Sequence, residues 1–220
     1  MNDVKDFTTV RIFFSKTGRA RYISHLDLNR TMTRAVRRAG LPIWYTEGFN
    51  KHPYLTFASP LSLGYEGERE TMDLRLAGEM SLEELVQRLD AVMPEGLRIL
   101  SAAFAEKKAG EVAFAVYRLH LDCSAAAVQA LLSKPSVTAV KRTKKKQLVT
   151  VELKPVLEAA ASVITENESG MDWQLTLPCS SEQSVNPSLV VAALREAEKR
   201  EIPCTVRRLQ VLARDGKEFA

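Results

Sequence analysis

Strand-like and helix-like runs alternate in the first hundred residues in an order that few folds accommodate. The strand-like runs carry apolar and β-branched residues, and each helix-like run begins at a serine suited to an N-cap. In chain order these segments are 10–14, 24–39, 43–46, 71–76, 81–92 and 97–104. The order βαββαβ is that of the ferredoxin-like fold, an antiparallel sheet with two helices on one face.

A comparable alternation follows a charged linker at 105–111. Strands are predicted at 114–121, 162–165, 172–177 and 205–213, helices at 124–133 and from Pro187, and a hairpin at 137–142 and 147–153, around Lys144, Lys145 and Lys146. A chain of 220 residues can form two modest cores. We therefore predict an α+β protein of two tandem ferredoxin-like units, 1–106 and 107–220, without a residue-level repeat.

The helix predicted at 24–39 separates apolar from basic side chains. At 100° per residue, one arc carries Leu28, Met32, Ala35, Val36 and Ala39, and the opposite side carries Arg30, Arg34, Arg37 and Arg38. From Arg11 to His52 there are nine Lys and Arg against two acids, an excess of seven, whereas the whole chain has a net charge of +4. The positive charge is therefore concentrated in this part of the chain.

Two interpretations of the basic side remain open. Like charges four residues apart, as in Arg30 with Arg34, are slightly unfavourable on a helix, so something should neutralise them. The neutralising group is either an acid of the chain itself (Glu47, Glu66 or Glu68) or an anionic ligand, for which RNA is the leading candidate. The preceding turn adds Lys16, Arg19 and Arg21 to the expected phosphate contacts, although the GxxxxGK[ST] spacing of a phosphate loop is absent.

The segment 47–70 is long for a connection and rich in aromatic residues near its start. Six of the fifteen aromatics of the chain fall between Trp44 and Tyr65. Some of these rings must fill the core, but rings alternating with cations also suit single-stranded RNA, because bases stack on rings while cations hold the phosphates. The expected RNA contacts here are Phe49, Lys51, His52 and Tyr54.

The histidines suggest an alternative catalytic role. If the segment folds back on the helix start, His25 and His52 could flank one site and transfer protons during RNA cleavage. His120 alternates within a predicted strand and is expected to be structural. Three histidines without matched acidic spacing predict no metal site.

The composition favours a globular cytoplasmic protein without a cofactor. The first residues lack the apolar core of a signal peptide, and no apolar run approaches the roughly 20 residues that span a bilayer. The three cysteines, Cys123, Cys179 and Cys204, are far apart and form no CxxC or CxxxCxxC motif. They are expected to be reduced fillers of the core.

Four blocks in the first half of the chain carry a resemblance to a known family. They are GRARYISHLDL, RAVRRAGLP, EGFNKHP and SPLSLGYEGE. The sequence resembles the bacterial radical-SAM-linked family, also called domain of unknown function 2344, most strongly over residues 8–77. The resemblance implies a gene beside, or fused to, one for a radical SAM enzyme, often near genes for a ribonuclease and ribosomal proteins. It implies a protein partner and an RNA setting, and it provides no catalytic residues.

These observations lead to one main hypothesis and two alternatives. The main hypothesis is a non-catalytic, RNA-binding or substrate-presenting accessory of a radical SAM enzyme, acting in RNA- or ribosome-related modification or maturation. The first alternative is a metal-independent RNA endonuclease, similar in layout to the CRISPR repeat-processing enzymes. The second is a purely protein–protein adaptor for the radical SAM enzyme.

Overall fold

The computed structural model describes residues 7–142 and 146–220. Within these ranges the protein is a mixed α+β structure with five helices and a mostly antiparallel main sheet. The strands are β1 Thr8–Lys16, β2 Leu55–Thr56, β3 Glu66–Leu76, β4 Leu97–Phe104, β5 Val112–Leu121, β6 Thr138–Arg142, β7 Leu148–Glu152, β8 Ser162–Asn167, β9 Gly170–Pro178 and β10 Cys204–Ala213. The helices are α1 His25–Arg38, α2 Leu82–Asp90, α3 Ala125–Leu132, α4 Lys154–Ala159 and α5 Pro187–Glu198.

One sheet of eight strands runs through both halves of the chain. Its order is β4-β1-β3-β10-β5-β9-β8, with β2 also paired to β3, and β6 and β7 form a separate hairpin. The two halves meet where β3 and β10 pair in parallel, with Arg207 opposite Glu66 and Arg208 opposite Gly67. The antiparallel sheets predicted for the two units are joined into one sheet, because β3 begins at Glu66, five residues before the predicted strand at 71–76.

Most predicted elements are confirmed, with several local differences, among them the short strand β2, which was not predicted. The strand expected at 43–46 is wrong, because Ile43 and Tyr45 form only isolated bridges, to Leu76 and Pro53. Helix α4 follows β7 and was not predicted. The tip of the β6–β7 hairpin was expected at Lys144–Lys146, of which Lys144 and Lys145 lie outside the described residues.

Helix α1 forms because a local cap and an apolar stripe agree. The Ser24 hydroxyl accepts a hydrogen bond from the backbone N–H of Asp27 at 3.1 Å, which satisfies one of the free amides of the first turn. The buried side chains of the helix are those predicted for its apolar side: Leu28, Met32, Ala35 and Val36. The opposite side of the helix is therefore left to solvent.

Replacing Ser24 by alanine is expected to lower the free energy of unfolding by about 1 kcal/mol, because the Asp27 amide loses its acceptor. Urea unfolding measures the change. Ser124→Ala is a matched control, since Ser124 occupies the N-cap of α3 without a side-chain cap bond and should cost less. Equal losses in the two variants would contradict this account of the α1 cap.

Charged side chains are buried where the two halves meet. Arg208 is 2% exposed and its Nε donates to Glu70 Oε1 at 2.9 Å, while Nη1 donates to the Ser59 hydroxyl at 2.9 Å. Lys16 is also 2% exposed and its ammonium donates to the Arg21 carbonyl at 3.1 Å. This polar cluster lies between two hydrophobic clusters, one built mainly from residues of the first half and one mainly from residues of the second.

Candidate nucleic-acid interface

The four arginines opposite the apolar stripe of α1, here called the basic face, are Arg30, Arg34, Arg37 and Arg38. All four are exposed. Arg30 Nη1 lies 3.3 Å from Asp27 Oδ1, and Arg38 donates to the Val92 carbonyl. The Arg37 guanidinium lies 5.9 Å from the centre of the Tyr45 ring. Within the described part of the chain, Arg34 forms no ion pair.

The acids that could have neutralised the basic face lie elsewhere or remain unpaired. Glu66 Oε2 is 2.6 Å from Arg207 Nη2, and Glu68 Oε1 is 3.2 Å from Arg207 Nη1. Glu47 is exposed and makes no ion pair within residues 7–142 and 146–220. Asp27 is thus the single acid of the described residues paired with the basic face, which keeps a large positive excess.

Glu66 is held in its charged form by the groups around it. Burial acts to raise the pKa of Glu66, but hydrogen bonds from the Arg207 side chain and the Gly18 backbone N–H, together with the nearby arginine charges, lower it overall. The Gly18 N–H donates to Glu66 Oε1 at 2.9 Å. That amide is therefore already occupied, and the turn before α1 does not present it to a ligand.

The turn before α1 is a 3-10 helix, Gly18–Tyr22, and its basic residues differ in exposure. Arg19 is exposed and has no ion-pair partner among the described residues. Arg21 Nη2 donates to the Tyr22 hydroxyl at 2.6 Å, and Arg21 Nη1 lies 3.9 Å from Glu66 Oε1. Arg19 is therefore an unpaired cation just before α1, whereas Arg21 is directed toward Tyr22 and Glu66.

Lys16 does not fit the expected role in phosphate binding. Strand alternation places Lys16 on the same side of β1 as Val10, Ile12 and Phe14, so its side chain turns inward. Burial lowers the pKa of Lys16, and the charge of Glu70 opposes that effect. Because the ammonium is enclosed, the structure removes Lys16 from the surface cations.

The aromatic segment divides into packed and open rings. Phe57 packs against the first-half core, and Tyr65 donates a hydrogen bond to Asn186 at 2.6 Å. Arg75 lies 3.7 Å from the centre of the Tyr54 ring, which covers one side of a ring expected to stack on bases. Phe49 is fully exposed and Lys51 is exposed. Of Phe49 and Tyr54, Phe49 is therefore the one whose ring is open to stacking with a base.

The two candidate catalytic histidines have separate surroundings. The His25 ring packs edge-on against Phe57, with the ring centres 5.0 Å apart. His52 accepts or donates at Nδ1 with the Thr46 hydroxyl, 3.4 Å away, and its backbone N–H donates to the same hydroxyl. Both histidines are exposed. No contact among the described residues joins them into one site.

The described residues offer little support for metal-dependent or thiol chemistry. No cluster of three or more metal-binding side chains occurs among the described residues. Burial raises the pKa of Cys204 to about 11, and it also raises the pKa of Cys123 and Cys179, so these thiols stay protonated at neutral pH. None of the three thiols has the lowered pKa of a nucleophilic cysteine.

Two further large side chains are exposed at the start of α1. Tyr22 is 63% exposed, and its ring lies 4.8 Å from the Arg21 guanidinium. Leu26 is 58% exposed because it lies off the apolar stripe of α1. Helical periodicity is enough to place Leu26 at the surface. The exposure of Tyr22 depends on the 3-10 turn, which no sequence pattern predicts.

A family comparison places the chain in a known group of bacterial proteins. Residues 9–187 match the family described as "uncharacterized protein conserved in bacteria (DUF2344)", and the chain belongs to that family. The match runs from β1 to the first residue of α5 and includes the whole basic face. A comparison with the curated proteins gave no match. None of the helices in the described residues is long and apolar enough to cross a membrane.

Proposed function

We propose that this protein is an accessory RNA-binding subunit that presents RNA to a radical SAM enzyme in RNA- or ribosome-related modification or maturation. The observation that carries the proposal is the exposed basic face, which pairs with one acid, Asp27, within the described residues. Unpaired arginines at a protein surface bind phosphates and release counterions, and that release favours association with RNA. Arg19 and Arg21 lie in the turn before α1, and we propose them as further phosphate contacts.

Single-stranded RNA suits this surface better than a duplex. The rings of Tyr22 and Phe49 are exposed, the Tyr22 ring lies 4.8 Å from the Arg21 guanidinium, and unpaired bases can stack on such rings. A duplex keeps its bases stacked inside and would leave both rings without a role. We therefore propose that the arginines hold the backbone while Tyr22 and Phe49 contact bases.

The strand order supports a finer description of the fold. The first half has the order β4-β1-β3-β2 and the second half has β10-β5-β9-β8, with antiparallel neighbours in each. We propose that each half is a ferredoxin-like unit and that β6, β7 and α4 are an insertion in the second one. The boundary at residue 106 stays a prediction.

The partnership with a radical SAM enzyme rests on the family resemblance and on cysteine spacing. A radical SAM cluster needs closely spaced cysteines, and the three cysteines here are far apart in sequence. The cluster would therefore belong to the partner. The endonuclease alternative has less support, because His25 and His52 contact different residues.

Nucleic-acid-free protein is expected to bind a single-stranded RNA oligonucleotide and to leave it intact in EDTA. Fluorescence anisotropy measures the binding, and a denaturing gel detects cleavage. Cuts that disappear in His25→Ala would favour the endonuclease instead. Co-purification of the neighbouring radical SAM enzyme, with and without nuclease, tests the partnership, since a direct complex survives nuclease and an RNA-bridged one does not.

A further inference from the structure

A second polar site lies where the two halves of the chain meet, apart from the basic face. It is a cavity of about 350 Å³ on the side of the sheet opposite the second-half core, within the size range of small-molecule sites. We call it the junction cavity, and its charged lining consists of Arg21, Glu66, Arg118, His120, Asp172 and Arg207.

The strand register brings these residues together. Arg207 lies opposite Glu66 on β3 and opposite Arg118 on β5, and His120 lies opposite Asp172 on β9. Arg118 and His120 are two positions apart on β5, so both point to the same side of the sheet. The cluster therefore combines β3, β10, β5 and β9, and Arg21 reaches it from the 3-10 turn before α1.

The carboxylates of the junction cavity are already occupied by the protein. Glu66 accepts from the Gly18 N–H at 2.9 Å and from Arg207 Nη2 at 2.6 Å. Asp172 Oδ1 lies 2.9 Å from His120 Nδ1, which orients the imidazole and leaves its Nε2 for another partner. Glu66 thus has both oxygens engaged by the protein, and Asp172 has Oδ1 engaged by His120.

The cations, in contrast, retain unused donors. Arg118 Nη1 is 3.8 Å from Glu68 Oε1, and Arg21 Nη1 is 3.9 Å from Glu66 Oε1, both beyond hydrogen-bond distance. Among the described residues, Arg118 donates no hydrogen bond, although a guanidinium has five N–H groups. Arg118 thus brings spare donor capacity to the cavity, which an anion would satisfy.

We infer that the junction cavity binds a phosphate monoester. Guanidinium groups reach it from three different elements, and a tetrahedral phosphate has several oxygens that can meet donors from separate directions. A carboxylate has two oxygens in one plane and therefore meets donors from fewer directions. His120, held by Asp172 through Nδ1, supplies a further donor at Nε2 when it is protonated. The phosphate belongs either to a free mononucleotide or to the 5′ end of an RNA strand.

Calorimetry with uridine 5′-monophosphate tests the inference on the full chain. The unmodified protein is expected to bind this probe, and Arg118→Gln should weaken binding roughly tenfold or more, because a charge-assisted contact is lost. Arg88→Gln is the matched control: Arg88 is an exposed arginine on α2, paired with Glu84, and its loss should leave binding unchanged. His120→Asn provides a second variant that retains a donor toward Asp172 and should also weaken binding.

RNA oligonucleotides with a 5′ phosphate or a 5′ hydroxyl distinguish the two sources. A gain in affinity from the 5′ phosphate that disappears in Arg118→Gln assigns the site to an RNA end. Binding of the mononucleotide without that gain assigns it to a free nucleotide. The inference is overturned if neither probe binds through its phosphate, or if Arg118→Gln binds as tightly as the unmodified protein. Arg34→Glu should leave mononucleotide binding unchanged. A failure of the junction-cavity inference can therefore be distinguished from a failure of RNA binding at the basic face.

Discussion

Replacing Arg30, Arg34 and Arg37 together by glutamate is expected to weaken binding of single-stranded RNA on the order of 100-fold. Each reversal removes a cation that would contact a phosphate and puts a repelling charge in its place. All three side chains are exposed and point away from the buried stripe of α1, so the fold should persist. Fluorescence anisotropy at one fixed salt concentration measures the loss, and circular dichroism checks that the helices remain.

A control variant with the same change in net charge separates a local contact from a general electrostatic effect. Arg88, Arg98 and Arg214 are exposed arginines outside the basic face, and each pairs with a nearby acid. Their joint replacement by glutamate should weaken RNA binding far less. If both triple variants lose the same affinity, the RNA does not bind at the basic face.

Replacing Glu70 by alanine is expected to lower the free energy of unfolding by about 3–5 kcal/mol, because it leaves the buried Arg208 without its carboxylate. Arg208 is 2% exposed and Glu70 is 4% exposed, so water cannot take the place of the lost partner. The buried ammonium of Lys16 also loses the favourable charge of Glu70. Urea unfolding at neutral pH measures the loss.

Glu68→Ala is the matched control for the buried pair. Glu68 lies two residues earlier on β3 and pairs with Arg207, but the Glu68 side chain is 41% exposed. An exposed ion pair contributes less than about 1 kcal/mol, so this variant should be only slightly destabilised. Equal losses in Glu70→Ala and Glu68→Ala would mean that burial does not strengthen the contribution of the Arg208–Glu70 pair.

Local signals were sufficient for much of the fold. Helix α1 could be predicted because its Ser24 cap and its apolar stripe both lie within sixteen residues, 24–39. The strand at 97–104 was placed at the bounds that β4 has in the structure. Elements of this kind need only the alternation of apolar residues and a capping residue, and both are visible in one sequence.

Long-range pairing explains what the sequence left open in the fold. The start of β3, Glu66-Gly67-Glu68, has no apolar alternation and was assigned to a loop. It is a strand because Glu66 and Glu68 both meet Arg207 of β10, which is 141 positions from Glu66. No pattern within the segment predicts pairing with a strand so far away in sequence. The joining of the two halves into one sheet could not be predicted for the same reason.

In the candidate site, too, the features that depend on local sequence could be predicted, and those that depend on distant contacts could not. The exposure of the basic face follows from the period of a helix, and the burial of Lys16 could have been predicted from strand alternation with Val10, Ile12 and Phe14. The contact of Tyr54 with Arg75 joins two segments that no periodicity links. The junction cavity likewise needs the register of four strands.

The salt dependence of RNA binding tests the central proposal most directly, because its slope counts the phosphates that the protein neutralises. The logarithm of the binding constant is expected to fall linearly with the logarithm of salt concentration. The slope should become shallower by about 2 when Arg30, Arg34 and Arg37 are reversed, as expected for three lost contacts with a single strand. The same slope in the triple variant as in the unmodified protein would contradict a phosphate-binding role for the basic face.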